Sequence, residues 1–214
     1  MKRRCPLCAE STIALYHQDR CRDYYQCATC KLVFVPSEQH VSAAAEKAEY
    51  DKHQNSPHDT GYRRFLERLL TPLQAKLAPA ARGLDFGSGP GPTLSVMFAK
   101  HGHPMAVYDP FYAPDASVLS HVYDFITATE VVEHLSQPGQ VLTQLVANLA
   151  PGGYLGLMTK RVTSPDTFNR WHYISDPTHI CFFSEDTFRW WAQQNNLAVE
   201  FPGPDTVILH KTLT

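Results

Sequence analysis

In Gly83-Leu84-Asp85-Phe86-Gly87-Ser88-Gly89-Pro90-Gly91-Pro92-Thr93-Leu94, a short apolar run meets three glycines at alternate positions. A helix-like segment, Thr93 to His101, follows. This is the strand–turn–helix layout with which an open α/β sheet holds a nucleotide-like ligand. Glycine lets the chain turn sharply and brings its backbone close to the ligand. The spacing is G-x-G-x-G rather than G-x-G-x-x-G, and Asp85 stands inside the strand end. A carboxylate there repels a pyrophosphate but suits a cationic or hydroxyl-bearing ligand.

A chain of 214 residues accommodates one full α/β domain and a small appendage. The net charge of −2 provides no global field to recruit nucleic acid or an anionic membrane, although Lys2, Arg3, Arg4, Arg20 and Arg22 make the start locally basic. No apolar run approaches the roughly 18–20 residues of a membrane span. The first ten residues carry charge and no apolar stretch, unlike a signal peptide. A cytoplasmic protein with no membrane partner is expected.

Five of the six cysteines fall in the first 30 residues, which points to a metal site rather than a disulfide framework. Cys5-Pro-Leu-Cys8 and Cys27-Ala-Thr-Cys30 are two C-x-x-C pairs. Two such turns facing each other make a tetrahedral four-thiolate site that suits zinc and leaves no position for water, so the metal is expected to be structural. Short strands at Ile13–His17, Tyr24–Gln26 and Leu32–Val35 complete a small zinc-ribbon-like module, residues 1–38. It is too small to fold alone without the metal. Cys21 and His17 are spare ligands, read first as an unliganded thiol and a surface imidazole.

Residues 39–80 read as a helical linker with cofactor-capping helices. Residues 41–53 favour helix by propensity, and Asp59 is a helix N-cap candidate. Tyr62, Phe65, Leu66, Leu69, Leu70, Leu73 and Leu77 recur at helical spacing and are expected to pack on a sheet. Pro72 is expected to kink or divide this helix. In residues 81–214, Pro92 suits a first helical turn, and Met105–Asp109 reads as a second strand ending in a carboxylate. About 20 residues after the glycines, such an acid can grip a ribose diol. Tyr123–Thr129 is a strong strand followed by Glu130-Val-Val-Glu-His134. Pro138 to Leu149 reads as a helix, and Tyr154–Thr159 as a buried strand. Ser184-Glu-Asp-Thr caps a helix to Asn195, and Leu197–Phe201 with Thr206–Lys211 reads as a closing antiparallel hairpin.

The motif Leu-Asp-Phe-Gly-Ser-Gly-Pro-Gly, the strand end Tyr-Asp-Pro, the segment Tyr-Asp-Phe-Ile…Glu-Val-Val-Glu-His-Leu, and Leu-Ala-Pro-Gly-Gly-Tyr-Leu occur in order over roughly residues 60–160. Together they resemble the class I S-adenosylmethionine-dependent methyltransferases. The resemblance implies a Rossmann-like α/β fold, with a mostly parallel sheet and a C-terminal antiparallel hairpin, preceded here by the small zinc ribbon. It implies S-adenosyl-L-methionine as cofactor, with Gly87, Ser88 and Gly89 along its methionine portion. Asp85 would face the cofactor's positive end, Asp109 followed by Pro110 would hold the ribose, and Thr129 and Glu130 would border the pocket. Tyr62 would cap it from the preceding helix. The family usually inserts a helix and a further strand where this chain has only Pro110–Val122. Adenine is therefore expected against Phe111, Tyr112 or Leu119.

Residues 160–183 read as a long irregular lid rich in aromatics and histidines, the expected acceptor side. His134 and His179 are the leading candidates for a base, with His172 third. Glu133 is placed to orient or assist His134, and Asp176 to cap or brace the lid. Cys181, in an apolar run, reads as a buried small hydrophobe. The favoured partner is a small or medium-sized methyl acceptor. An RNA methyltransferase using the cysteine module to hold its substrate is the second reading. A catalytically inactive cofactor-binding interaction module is the third, and a nicotinamide dehydrogenase fits the glycine spacing least well.

Overall fold

The structure, a computed structural model, describes residues 3–52 and 55–212. Strands β1 (Ile13–Gln18), β2 (Asp23–Cys27) and β3 (Val33–Phe34) form an antiparallel meander. Helix α1 (Ala43–Tyr50) follows, its Ser42 side chain accepting from the Ala45 amide. Helix α2 (Thr60–Gln74) starts at the expected cap, where Asp59 accepts from the amides of Gly61 and Tyr62. The second half contains β4 (Gly83–Phe86), α3 (Thr93–Lys100), β5 (Met105–Tyr108), β6 (Tyr123–Thr129), α4 (Pro138–Ala147), β7 (Leu149–Met158), α5 (Pro165–Phe168), β8 (Cys181–Phe182), α6 (Glu185–Gln194), β9 (Leu197–Gly203) and β10 (Thr206–Lys211).

The main sheet has the order β5-β4-β6-β7-β10-β9. Its first four strands are parallel, and β10 runs antiparallel to both β7 and β9. Strand alternation sorts the side chains to two faces. Phe125, Met158 and Ile208 pack beneath α2 and α3, against Leu66, Leu69, Leu73, Leu94 and Phe98. Ile126, Leu155, Leu157, Val207 and Leu209 pack on the other face with Leu142, Leu145, Phe188 and Trp191 of α4 and α6. The Pro110–Val122 segment holds a 3-10 turn at Ala116–Ser120, and β5 is an edge strand of the sheet. The strand expected to be missing there is absent among the described residues.

Four local expectations change. Helix α2 continues through Pro72 to Gln74. The Arg68 carbonyl, which proline cannot serve, accepts instead from the Thr206 hydroxyl at 3.4 Å. Pro92 precedes α3 as its N-cap rather than lying in its first turn. Helix α4 ends at Ala147, and β7 begins at Leu149, five residues before the expected strand. The extra residues form a bulge: Tyr123 pairs with Leu149, yet Phe125 pairs with Tyr154. Finally, the segment after β7 is not wholly irregular. It contains α5, a 3-10 turn at His172–Ser175, and β8.

Strand β8 pairs with β3, so the lid segment closes onto the N-terminal meander. The four cysteine sulfurs converge there. Cys5 Sγ lies 3.4 Å from Cys30 Sγ, Cys8 Sγ lies 3.5 Å from Cys27 Sγ, and all four lie within 4.8 Å of one another. Cys21 is exposed and stands outside the cluster. Cys5, Cys27 and Cys30 share one buried core with α4 and α6. Cys181 is buried, as expected, with its thiol donating to the Leu135 carbonyl.

Candidate active site

A cavity of about 820 Å³ opens along the carboxyl ends of the parallel strands. The glycine loop forms one wall. Gly87 has φ 73°, and a Cβ there would stand 2.4 Å from Val131 Cγ2. At Gly91 a Cβ would meet the Asn55 carbonyl at 2.3 Å, the same oxygen that accepts from Thr93. The loop therefore needs glycine for conformation at one position and for close approach at the other.

Asp109 ties the loop down. Its Oδ2 accepts from the Gly89 amide at 2.9 Å, and its Oδ1 from the amides of Phe111 and Tyr112 at 2.8 and 3.0 Å. Gly87, Ser88, Gly89, Asp109, Pro110, Phe111, Tyr112, Thr129, Glu130 and Tyr62 all line the cavity. Leu119 does not, because it packs into the core instead. Phe86 and Tyr108 stack at 5.4 Å along this end.

Asp85 is displaced from its expected role. It is fully buried beneath the loop, off the cavity wall, with its oxygens bonded to Ser95 Oγ at 3.0 Å and Thr127 Oγ1 at 2.8 Å. It supports the loop from behind rather than touching a ligand. Burial pushes its carboxyl up to about 6, despite those hydrogen bonds. The folded chain thus holds this proton more tightly than the unfolded chain does. The stability gained from protonation is full below about pH 4 and is lost as pH rises to about 6. Asp85→Asn is therefore expected to stabilise the ligand-free protein near neutral pH by up to about 3 kcal/mol, and to have little effect near pH 4. Denaturant unfolding at the two pH values checks this, and a difference independent of pH would exclude it.

The other end of the cavity brings together His134, His179, His172, Lys160 and Tyr173. The His134 and His179 rings lie 4.7 Å apart, edge to face. Nδ1 of His179 donates to the Tyr173 carbonyl at 2.7 Å, and Nδ1 of His134 to the Thr178 carbonyl at 3.2 Å. A carbonyl only accepts, so in each neutral ring Nε2 is the basic nitrogen. Burial holds His179 below the usual histidine range, which keeps it neutral. The basic nitrogen of His172 is different: it is committed to Lys160 Nζ at 2.6 Å.

Glu133 does not orient His134 through its carboxylate as expected. Its side chain is wholly buried, and Oε1 accepts from the Tyr173 hydroxyl, which also meets Thr159 Oγ1 at 3.2 Å. Its Oε2 is buried without a partner, as is Oε1 of Glu130. Burial raises the Glu133 carboxyl well above the ordinary range, and raises Glu130 to about 7. Glu130 has φ 53°, a left-handed conformation that costs a non-glycine residue of order 1 kcal/mol and turns the chain sharply as it leaves β6. Asp176 accepts from the amide and hydroxyl of Thr178, and these bonds hold its carboxyl below the usual range although burial opposes them.

Two contributions come from outside the motifs of residues 83–134. Helix α1 roofs the cavity through Glu46 and Tyr50. The Tyr50 ring stands 5.2 Å from His134 and 5.9 Å from Phe111. Arg22, from the turn between β1 and β2, reaches the histidine loop from behind. Its guanidinium donates to the carbonyls of Ile174, Asp176, Pro177 and His179, at 2.5, 3.0, 3.1 and 2.9 Å. The cysteine-rich meander thereby clamps the loop that carries His179. Arg22→Ala removes a donor from all four carbonyls, of which Asp176 keeps the His179 amide at 3.3 Å, and is expected to lower turnover more than tenfold, with cofactor affinity little changed; Arg22→Lys restores little, because one ammonium cannot span four acceptors.

Residues 57–200 match the family described as a methyltransferase domain. The chain therefore belongs to that family, as an S-adenosylmethionine-dependent methyltransferase. Among solved structures, it is similar to the Burkholderia thailandensis 1,6-didemethyltoxoflavin-N1-methyltransferase, whose structure holds 1,6-didemethyltoxoflavin and S-adenosylhomocysteine. The identity is 16%, the TM-score 0.53, and the match covers 87% of this chain and 98% of that one. An O-methyltransferase family protein from the same organism matches at 13% identity and TM-score 0.53, over 79% of this chain and 63% of that one. At these identities the likeness establishes the fold. No curated protein matches the sequence. Among the described residues, no helix is long and apolar enough to cross a membrane.

Proposed function

We propose that the cavity binds S-adenosylmethionine, and that the enzyme transfers its methyl group to a small or medium-sized acceptor, with a base from the His134/His179 region. The observation that carries this is the continuity of one cavity, from the Asp109-braced glycine loop to the paired histidines. Asp109 and the loop hold the ribose and methionine portions, while Phe111 and Tyr112 flank the adenine. The cofactor supplies the activated methyl carbon. The chain's task is to align the acceptor and remove its proton. The α1 roof, with Tyr50 over His134, favours an acceptor that enters the cavity whole. The four cysteines fit a structural zinc: the Cys5–Cys30 and Cys8–Cys27 sulfur separations of 3.4 and 3.5 Å lie close to the roughly 3.8 Å edge of a thiolate tetrahedron with bonds of about 2.3 Å, and all four sulfurs lie within 4.8 Å of one another. Held that way, the meander serves as an internal brace for the acceptor loop through Arg22.

Calorimetric titration with S-adenosylhomocysteine should show one site per chain. On an acceptor found by screening with labelled cofactor, His134→Ala and His179→Ala should each lower turnover about 100-fold or more and leave S-adenosylhomocysteine affinity within severalfold. Unchanged turnover in both variants, with cofactor binding intact, would remove the histidines from the chemistry.

A further inference from the structure

We propose that Glu133, His134 and His179 form a second metal site, distinct from the cysteine cluster, that holds a divalent cation at the acceptor end of the cavity. One ligand atom from each of the three lies within 4.8 Å of the other two. Around an ion with bonds of about 2.1 Å the edges are roughly 3–3.5 Å, so side-chain movement of about an ångström closes the set. Three features prepare it. Glu133 Oε2 is wholly buried and has no partner, while Oε1 is fixed by Tyr173. Each imidazole gives its Nδ1 proton to a backbone carbonyl, the outer support typical of a metal-bound histidine. Two further carboxyl groups also stand nearby. Glu130 contributes a second unpartnered buried oxygen, and Asp176 Oδ2 lies 3.7 Å from His179 Nε2. Lys160, the cation on this wall, is bonded to His172.

Two imidazoles and one carboxylate suit a first-row divalent ion and leave coordination positions open. The inference rests on the methyltransferase reading for its consequence, which is a choice of acceptor: a molecule with a hydroxyl group whose oxygen takes an open position. Coordination lowers the hydroxyl's affinity for its proton, which passes to water. The oxygen then forms its bond to the methyl carbon as the carbon–sulfur bond breaks, and S-adenosylhomocysteine leaves. The two histidines promote the proton's loss through the ion rather than by accepting it.

Mn²⁺ is the probe, because it is a poor partner for thiolates and leaves the cysteine cluster alone. Electron paramagnetic resonance titration of the full chain, without cofactor, should show one bound Mn²⁺. Glu133→Gln and His134→Asn should each weaken it at least tenfold, and Tyr173→Phe, which frees the carboxylate from its support, by about tenfold. Circular dichroism identifies any variant that fails to fold, and the remaining variants then decide. Absence of Mn²⁺ binding in the parent chain, or binding unchanged in the folded variants, would overturn the metal site. If S-adenosylhomocysteine still binds in that case, the methyltransferase reading stands and the histidines act directly. If neither binds, both readings fall.

Discussion

Replacing Cys27 and Cys30 together by serine should abolish zinc binding at the cysteine cluster, unfold the N-terminal meander and stop methyl transfer, while S-adenosylhomocysteine still binds. The first effect follows from the ligand set, since two ligands cannot hold zinc as four do. The second follows from size. Strands β1 to β3 bury few apolar side chains of their own, so bound zinc would supply folding energy there, of order 10 kcal/mol in small zinc modules. Part of this is offset here, because Cys5, Cys27 and Cys30 pack into the same core as α4 and α6. A loss of about 5 kcal/mol or more is a reasonable expectation. The third effect follows from connectivity: β3 pairs with β8, and Arg22 holds the carbonyls of residues 174–179. Without the meander, His179 loses its position. The glycine loop and Asp109 depend on other elements, so cofactor binding survives. Elemental analysis should find about one zinc per chain more in the parent protein than in the variant. A metal-free parent protein that is fully folded would refute the zinc reading.

The parts legible in the sequence were those governed by local chemistry. The glycine spacing, the Asp59 and Ser184 caps, the amphipathic run of α2 and the final hairpin depend on neighbours a few residues away, and the structure holds each of them. Contiguity also brought out the four cysteines, since each C-x-x-C fixes two sulfurs on one turn. The site's cross-connections had no such signal. Arg22 and the loop it clamps are about 155 residues apart. Nothing around an arginine in a turn announces that its donors face four distant carbonyls. Helix α1 buries none of its residues, so propensity indicated the helix over 41–53 but periodicity did not indicate which of its residues, Glu46 and Tyr50, would face the cavity. Asp85 and Glu133 were found as acidic residues but not in their true directions. Asp85 lies on a strand, whose side chains alternate, and which face meets the ligand depends on the helices packed behind it; Glu133 lies on the 3-10 turn Val132–His134, whose direction is set by the lid segment. Ser95 on α3 captures Asp85, and Tyr173 captures Glu133.

Asp109→Ala should weaken S-adenosylhomocysteine binding about 100-fold, the largest loss expected from one substitution on the cofactor side. Asp109 does two jobs with one carboxylate. In the proposed binding mode it would offer lone pairs to the ribose, and it accepts from three backbone amides that shape the cavity wall. Hydrogen bonds to an ionised group contribute about 1.5–3 kcal/mol each. Loss of the ribose contact alone accounts for roughly tenfold. The remainder comes from the Gly89 amide, which in the variant has no acceptor and no longer fixes the loop. Asp109→Asn separates the two contributions. It keeps one acceptor oxygen for the backbone but replaces a charged acceptor with a neutral amide, so an intermediate loss of about tenfold is expected. Calorimetry with the demethylated cofactor, which involves no acceptor and no proton transfer, reads this directly. If alanine binds within twofold of the parent chain, the cofactor does not lie with its ribose on Asp109. The glycine loop's partner would then have to be sought on the α1 side, at Glu46 and Tyr50.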